Sequence, residues 1–289
     1  MNHRIALATC AALPDLDPDD RLVVEPLRAL GSEVVPAVWD DPSTDWANFD
    51  LVVIRSTWDY TARRDAFVAW AKSVPRLVNP AEIVAWNTDK RYLADLAAAG
   101  LPVVPTDWLE PGQPIDLPAS GVHVLKPAVG AGSVDAARYS LHNAHEAALA
   151  RAHAHRLLAA SQTVMVQPYL QAIEEHGEAG LIYLGGEFSH AVTKGAMLTG
   201  ERELVGGMYK AETITTRDPS AAELYVARAA LAAVPGGAHR LAYARVDLVP
   251  GLDGNPLIIE LELTEPSLFL GTGQRSAERF ADVLERLAA

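Results

Sequence analysis

The chain has 289 residues, 49% hydrophobic and 21% charged, with a net charge of −13. That balance allows a sizeable core in one large domain or two to three small ones. The acidic charge argues against a nucleic-acid partner, which needs a basic face, but not against an anionic nucleotide held in a local positive pocket.

One cysteine, Cys10, excludes an internal disulfide and fits a reducing compartment. No long apolar run opens the chain, so neither a signal peptide nor a membrane span is expected, and a cytoplasmic protein is the default.

The first third alternates strand and helix signals. Arg4 to Thr9 reads as a buried strand. Asp19 to Leu30 reads as a helix closing at Gly31, with Pro26 delaying its start. Glu33 to Trp39 and Leu51 to Ile54 are strands, Arg63 to Val74 a helix, and Arg76 to Asn79 a short strand. Such alternation predicts a parallel sheet with helices on its faces, binding ligands beyond the carboxyl ends of its strands. Thr88 opens a helix through Ala99, stopped by Gly100 and Pro102. Val122 to Lys126 is a strand, Asn143 caps a helix to about Ala160, and Thr163 to Val166 is a strand ended by Pro168. Leu181 to Leu184 and Glu187 to Thr193 flank Gly185-Gly186, a hairpin signal. Asp218 caps a helix to Val234 with Pro219 at its first position, and Arg275 to Leu287 closes the chain as a helix. These later elements predict antiparallel strands with helices, and a boundary falls near residues 80–88.

The most telling stretch is Ile258 to Leu263 with Arg245-Val246-Asp247. Period-two geometry puts Glu260 and Glu262 on one face, and Arg245 and Asp247 on one face. The turn-rich residues 250–256 read as the hairpin loop joining the two runs. Folding back brings three carboxylates and a guanidinium together. That is costly unless a cation sits among them, and Mg²⁺ on a nucleotide triphosphate needs such carboxylates. A solvated outer face is the alternative.

Other candidates are weak singly. Lys126 precedes a small-residue loop holding Gly130, Gly132 and Ser133, which fits either phosphate binding or a plain surface turn. Gln167, Pro168, Tyr169 and Leu170 offer backbone groups to an adenine edge, or simply end a strand. Lys194 ends the hairpin that Glu178 precedes. Arg55, Ser56, Thr57, Trp58, Asp59 and Tyr60 follow a predicted parallel strand and suit a small polar substrate, or form a capping turn. His153 and His155 read as surface residues with no zinc partner, and Ser133 and Ser267 lack a His/Asp arrangement.

In order, Lys90, Lys126, the small-residue loop, Gln167 to Leu170, Glu178, Lys194, Arg245, Asp247, Glu260 and Glu262 resemble the ATP-grasp superfamily over about residues 87–289. Within it the chain is similar to the glutathione-synthetase-type carboxylate–amine ligases. The strings Arg55 to Tyr60, Trp86 to Lys90 and Glu260 to Ser267 resemble the branch that closes the cycloserine ring.

The resemblance implies an α/β (α+β) ATP-grasp fold. Residues 1–86 would form the N-terminal parallel α/β substrate domain, 87–166 the small lid subdomain and 167–289 the antiparallel catalytic subdomain. It implies ATP and Mg²⁺ as cofactors, an amino-acid-like substrate, no nucleic-acid or membrane partner, and a homodimer through residues 1–86. Lys90 and Lys126 would hold phosphates, Gln167 to Leu170 adenine, and Glu174, Glu175 or Glu178 the ribose. Asp247, Glu260 and Glu262 would hold the metal, Arg245 and Lys194 would be catalytic, and Gly130 to Ser133 and Gly195 to Lys210 would act as lids. One departure stands out: that group usually carries Asn where Glu262 stands, so a compensating cation, Arg245 or Lys194, is expected. The implied activity is an ATP-dependent ligase forming an acyl phosphate and then a C–N bond. The rivals are a nucleotide-binding regulatory module and a carboxylate or sugar kinase.

Overall fold

The computed structural model describes residues 3–195, 204–205, 209–210 and 213–289. Strands β1 (Arg4–Thr9), β2 (Glu33–Val38), β3 (Leu51–Ile54) and β4 (Leu77–Val78) form a parallel sheet in the order β2-β1-β3-β4. β1 and β3 are buried on both faces, which is why they read as near-continuous apolar runs. The chain leaves β1 toward β2 on one side and reaches β3 on the other. The crevice at their carboxyl ends is therefore a topological switch point, where ligands bind.

Helix α1 is shorter than expected. A 3-10 turn, Asp20–Val23, precedes α1 (Val24–Ala29). Pro26 lies in the first turn, where its missing N–H has no helical partner to lose. Helix α2 (Arg64–Ser73) follows β3. The helix expected from Thr88 to Ala99 is α4 (Tyr92–Ala98), and an unexpected helix, α3 (Ala81–Asn87), precedes it. Thr88 caps the end of α3 instead of starting α4, with its N–H on the Val84 carbonyl.

Strands β5 (Asp107–Leu109), β6 (Val122–Pro127), β7 (Ala137–Ser140) and β8 (Val164–Pro168) form an antiparallel sheet in the order β5-β8-β6-β7, backed by α5 (Ala144–Ala159). β8 runs on through Gln167 and Pro168, beyond the expected stop at Val166. Pro168 is tolerated because β5 pairs β8 only as far as Val166, so no neighbour on that side needs its N–H. His153, expected at the surface, faces inward on α5 at 9% exposure and meets the Tyr139 hydroxyl at 3.1 Å. Helical periodicity with Ala150, Ala154 and Leu157 puts it on the core face, while His155 points outward.

After α6 (Ala172–His176) come β9 (Glu178–Leu184), β10 (Glu187–Lys194), a short ribbon of β11 (Leu204–Val205) and β12 (Tyr209–Lys210), and β13 (Ile214–Arg217). Helix α7 (Ala221–Ala232) is capped by Ser220, not Asp218, because Ser220 and Glu223 form a reciprocal capping box. Strands β14 (Tyr243–Pro250) and β15 (Pro256–Glu262) complete a second antiparallel sheet, β13-β10-β9-β14-β15, and α8 (Ser276–Ala288) closes the chain. The observed architecture is the expected one: a parallel N-terminal sheet and two antiparallel sheets.

Buried polar side chains lock the first sheet to the last. Asn79, fully buried, donates to the Tyr243 and Leu263 carbonyls (2.9 and 2.7 Å) and accepts from Ala242 N–H (2.8 Å). Tyr243 donates its hydroxyl to the Ile54 and Thr264 carbonyls. Helix α8 adds Phe280 and Leu284 to a core shared with Ile5, Leu7 and Val53. The N-terminal crevice is thereby held against the carboxyl end of β15.

Candidate active site

Two antiparallel runs with aligned periods create the site. β14 pairs β15 so that Arg245 lies opposite Glu262, and Asp247 opposite Glu260. The alternation buries Val246 and Leu261 in the core and turns the charged set to one side. Asp247, Glu260 and Glu262 each offer an oxygen within 4.8 Å of the others.

Four cations surround them. Lys126, near the end of β6, reaches Glu260 at 2.8 Å, and Lys90 lies 4.0 Å from the same oxygen. Lys194, ending β10, reaches Asp247 at 2.7 Å and Glu178 at 3.1 Å. Arg245 grips both oxygens of Asp247 (2.8 and 3.0 Å) and pairs with Glu262. Of the two cations expected to offset Glu262, Arg245 is therefore the one that contacts it. Burial acts to raise the Asp247 carboxyl, but Arg245 and Lys194 outweigh it and hold it below its ordinary value. Glu260 is half-buried, and although desolvation acts to raise it, Lys126 and Lys90 hold it well below the carboxylate range. Glu262 goes the other way, to about 8, through burial and the charges of Asp247 and Glu260, against the pull of Arg245.

Glu260 and Glu262 line a cavity of about 350 Å³, while Asp247 is fully buried and does not reach its wall. Lys90, Lys126, Lys194, Arg245, Gly130, Gly132, Ser133, Gln167, Pro168, Tyr169, Leu170 and Glu178 line it too. Lys90 bonds the Gly130 carbonyl (2.6 Å), and Gly132 and Ser133 both have positive φ, which turns the loop over the cavity. Val104, Val124, Ile173, Ile214 and Ile259 add apolar surface around the Gln167 to Leu170 segment, suited to a planar base.

Other expected residues lie elsewhere. Glu174 pairs with Arg138 (2.6 Å) and accepts from the Tyr169 hydroxyl (2.9 Å), while Glu175 is exposed beside His176. Neither lines the cavity, because α6 turns them outward, so Glu178 alone of the three ribose candidates does. Of the Arg55 to Tyr60 string, Trp58 and Tyr60 line the cavity. Arg55 is 1% exposed and bonds Asp20 and the Pro266 carbonyl; Ser56 donates to Asp20; Thr57 is buried; Asp59 accepts from Trp39 and Arg63. These four do not reach the cavity: Arg55, Ser56 and Thr57 are buried in the turn after β3, and Asp59 is held by Trp39 and Arg63. Of the two proposed lids, 196–203 and 206–208 within Gly195 to Lys210 lie outside the described residues.

Asp17, Asp19, Glu265, Ser267 and Phe269 line the cavity without having been singled out from the sequence. The signal for the first two was available: Pro14 to Asp20 follows β1, at the same switch point that made the segment after β3 a candidate.

The carboxylate cluster fits a divalent cation such as Mg²⁺. It supplies three hard oxygen donors whose oxygens lie within 4.8 Å of one another.

Comparison with known proteins agrees. Residues 5–79 match the family described as D-cycloserine synthetase DcsG, N-terminal domain. The chain is 38% identical to the cycloserine biosynthesis protein DcsG of Streptomyces lavendulae, over 98% of each. The crystal structure of D-cycloserine synthetase DcsG matches with a TM-score of 0.85 and 37% identity, covering 98% of this chain and 99% of that one. Two more distant structures share the fold. One is the Bacillus anthracis D-alanine–D-alanine ligase complexed with ATP (TM-score 0.63, 12% identity, 99% and 97% covered). The other is the ATP-grasp ligase PsnB complexed with a phosphomimetic variant of its minimal precursor, Mg and ADP (0.61, 20%, 100% and 99%). Homologues of this fold thus bind ATP and Mg. No helix among the described residues is long and apolar enough to cross a membrane. The chain is an ATP-dependent ligase of the ATP-grasp superfamily and belongs to the family of the D-cycloserine synthetase DcsG.

Proposed function

We propose that this ligase activates the carboxylate of an amino-acid-derived small molecule as an acyl phosphate, releases ADP, and forms an amide-type C–N bond within the same molecule. O-ureidoserine, whose ring closure belongs to cycloserine formation, is the candidate substrate. The observation that carries this reading is one cavity lined by Lys90, Lys126, Lys194 and Arg245 together with Glu260 and Glu262, whose carboxylates cluster with that of the buried Asp247.

The ATP end lies toward β8: Gln167 to Leu170 meet adenine, Glu178 the ribose, and Lys90, Lys126 and the backbone N–H groups of Gly130 to Ser133 the phosphates. Asp247, Glu260 and Glu262 hold Mg²⁺, which supplies charge neutralisation on the phosphate oxygens. Lys194 and Arg245 stabilise the negative charge spreading over the transferred phosphoryl group. Trp58 and Tyr60 bound the other end of the cavity and hold the amino-acid-like substrate with its carboxylate toward the γ-phosphate. Tethering the nucleophile to the activated carboxyl supplies it at high effective concentration. The family resemblance adds a homodimer through residues 1–86, which light scattering tests.

Mass spectrometry of purified protein with MgATP and O-ureidoserine, with and without a separate amine, tests the reading. ADP together with a product lighter than its parent, without added amine, is the expected result. ADP only when an amine is supplied would make this a two-substrate ligase, AMP would remove the acyl phosphate, and no turnover would sink the substrate assignment.

A further inference from the structure

Residues 264–270 have no regular secondary structure, yet they are held as firmly as a strand. Each carbonyl from Thr264 to Phe269 accepts from a side chain on another part of the chain. Thr264 accepts from the Tyr243 hydroxyl (2.8 Å), Glu265 from the Trp58 indole (3.0 Å), Pro266 from Arg55 (2.6 Å) and Ser267 from Arg245 (2.8 Å). His190 Nε2 serves Leu268 and Phe269 (3.0 and 3.2 Å). The segment alternates: Thr264, Pro266, Leu268 and Leu270 are buried, while Glu265, Ser267 and Phe269 line the cavity. Glu265 is thus fixed by backbone contacts on both sides and presented to the substrate end.

Its carboxyl differs from the others there. Asp247, Glu260 and Glu262 form the metal cluster, and Glu178 pairs with Lys194. Asp17 accepts from Asp19 N–H, and Asp19 from Gly271 N–H. The Glu265 carboxyl has a neutral neighbour, the Tyr60 hydroxyl, which also lines the cavity and favours the charged carboxyl. Lys90, Arg245 and Tyr243 are the other charged or titratable groups that act on it. No histidine is among the described residues lining the cavity.

Closing a C–N bond on an acyl phosphate needs a base. The nitrogen lone pair attacks the carbonyl carbon, the C–O bond to phosphate breaks, and phosphate leaves with that electron pair. The nitrogen must then shed its proton. We propose that the Glu265 carboxylate, positioned in the cavity by the gripped segment, takes that proton and is a catalytic residue of the ring-closing step. The inference rests on the ligase reading above. Burial brings Glu265 up to about 7 against the opposing Tyr60 hydroxyl, Lys90 and Arg245, which suits a base working near neutrality. Since the carboxylate is the active form, ring closure should rise with pH through that value and then level off.

The test compares wild type, Glu265→Gln and Tyr60→Phe with O-ureidoserine and MgATP from pH 5.5 to 9. Hydroxylamine traps the acyl phosphate as a hydroxamate, so activation and ring closure are read separately. Glu265→Gln should form hydroxamate within about threefold of wild type, while ring closure falls by about 10²–10⁴-fold and loses its rise near neutral pH. Tyr60→Phe, which removes the donor favouring the charged carboxyl, should move the pH midpoint upward. Equal loss of both steps in Glu265→Gln, a change in KM alone (as a ligand of the substrate's ammonium would give), or an unmoved midpoint in Tyr60→Phe overturns the assignment. A wild type that yields neither hydroxamate nor ADP with this substrate overturns the ligase reading itself.

Discussion

Replacing Glu260 by Gln separates chemistry from folding. Gln keeps the shape of Glu260 and removes its charge. Lys126 at 2.8 Å and Lys90 at 4.0 Å attract that charge, while Asp247 and Glu262, with oxygens within 4.8 Å, repel it. At an effective dielectric constant near 20, each such pair is worth about 4 kcal/mol. Lys194 adds a third attraction, so the two repulsions offset the attractions only in part, and Glu260 accordingly sits well below the carboxylate range. The variant should therefore lose stability, by about 3–5 kcal/mol. Catalysis has no such offset. Loss of a metal ligand and of charge stabilisation should lower kcat by about 10³-fold or more. The assay pairs ADP release with thermal melts, with and without MgATP. Wild type should gain about 2.7 kcal/mol at a hundredfold excess of MgATP over its Kd. Glu260→Gln should keep its fold and lose most of that gain. Wild-type turnover, or an undiminished MgATP shift, would refute the carboxylate assignment.

Three further outcomes follow from the structure. Arg55→Met should leave Asp20 buried without its guanidinium and cost about 3–5 kcal/mol in urea unfolding, while KM for MgATP in the folded fraction stays at the wild-type value; a stable variant with impaired substrate binding would return Arg55 to the substrate site. His153 is held neutral, its pKa lowered by burial and by Arg156. Its stabilising contribution is therefore complete above the unfolded value of about 6.5 and is lost as pH falls through and below it. His153→Gln should flatten the decline in melting temperature between pH 7 and 5, and an unchanged slope would contradict the burial argument. Ser220→Ala removes the α7 capping box and should cost about 1 kcal/mol in urea unfolding, whereas Asp218→Ala, outside the cap, should cost clearly less; the reverse order would restore Asp218 as the cap.

The parallel first sheet was legible because β1 and β3 are apolar throughout and alternate with helices, a pattern governed by local burial. The acidic hairpin was legible for a similar reason. A two-residue period and a turn-rich connector suffice to place Arg245, Asp247, Glu260 and Glu262 on one face, and the resemblance supplied the lysines around them. Short elements were not legible. β5, β7 and β13 have 3, 4 and 4 residues and gain their pairing from distant strands, so their own composition says little. The helix cap at Ser220 depended on which of two nearby residues, Asp218 or Ser220, reached an orphan N–H, a choice made by a shift of two residues.

By itself, the order of residues determined the fold class and the clustering of Arg245, Asp247, Glu260 and Glu262, since each follows from a local period or from spacing along one strand. Only the tertiary structure decided which residues after β1, β3 and β15 line the cavity. Arg55 and Trp58 stand three residues apart in one turn, yet Arg55 is buried against Asp20 and Trp58 faces the cavity. Glu265 entered the site because side chains from β3, β10, β14 and their loops grip the backbone around it. Those grips join residues up to 211 positions apart, and no local pattern encodes a contact of that range.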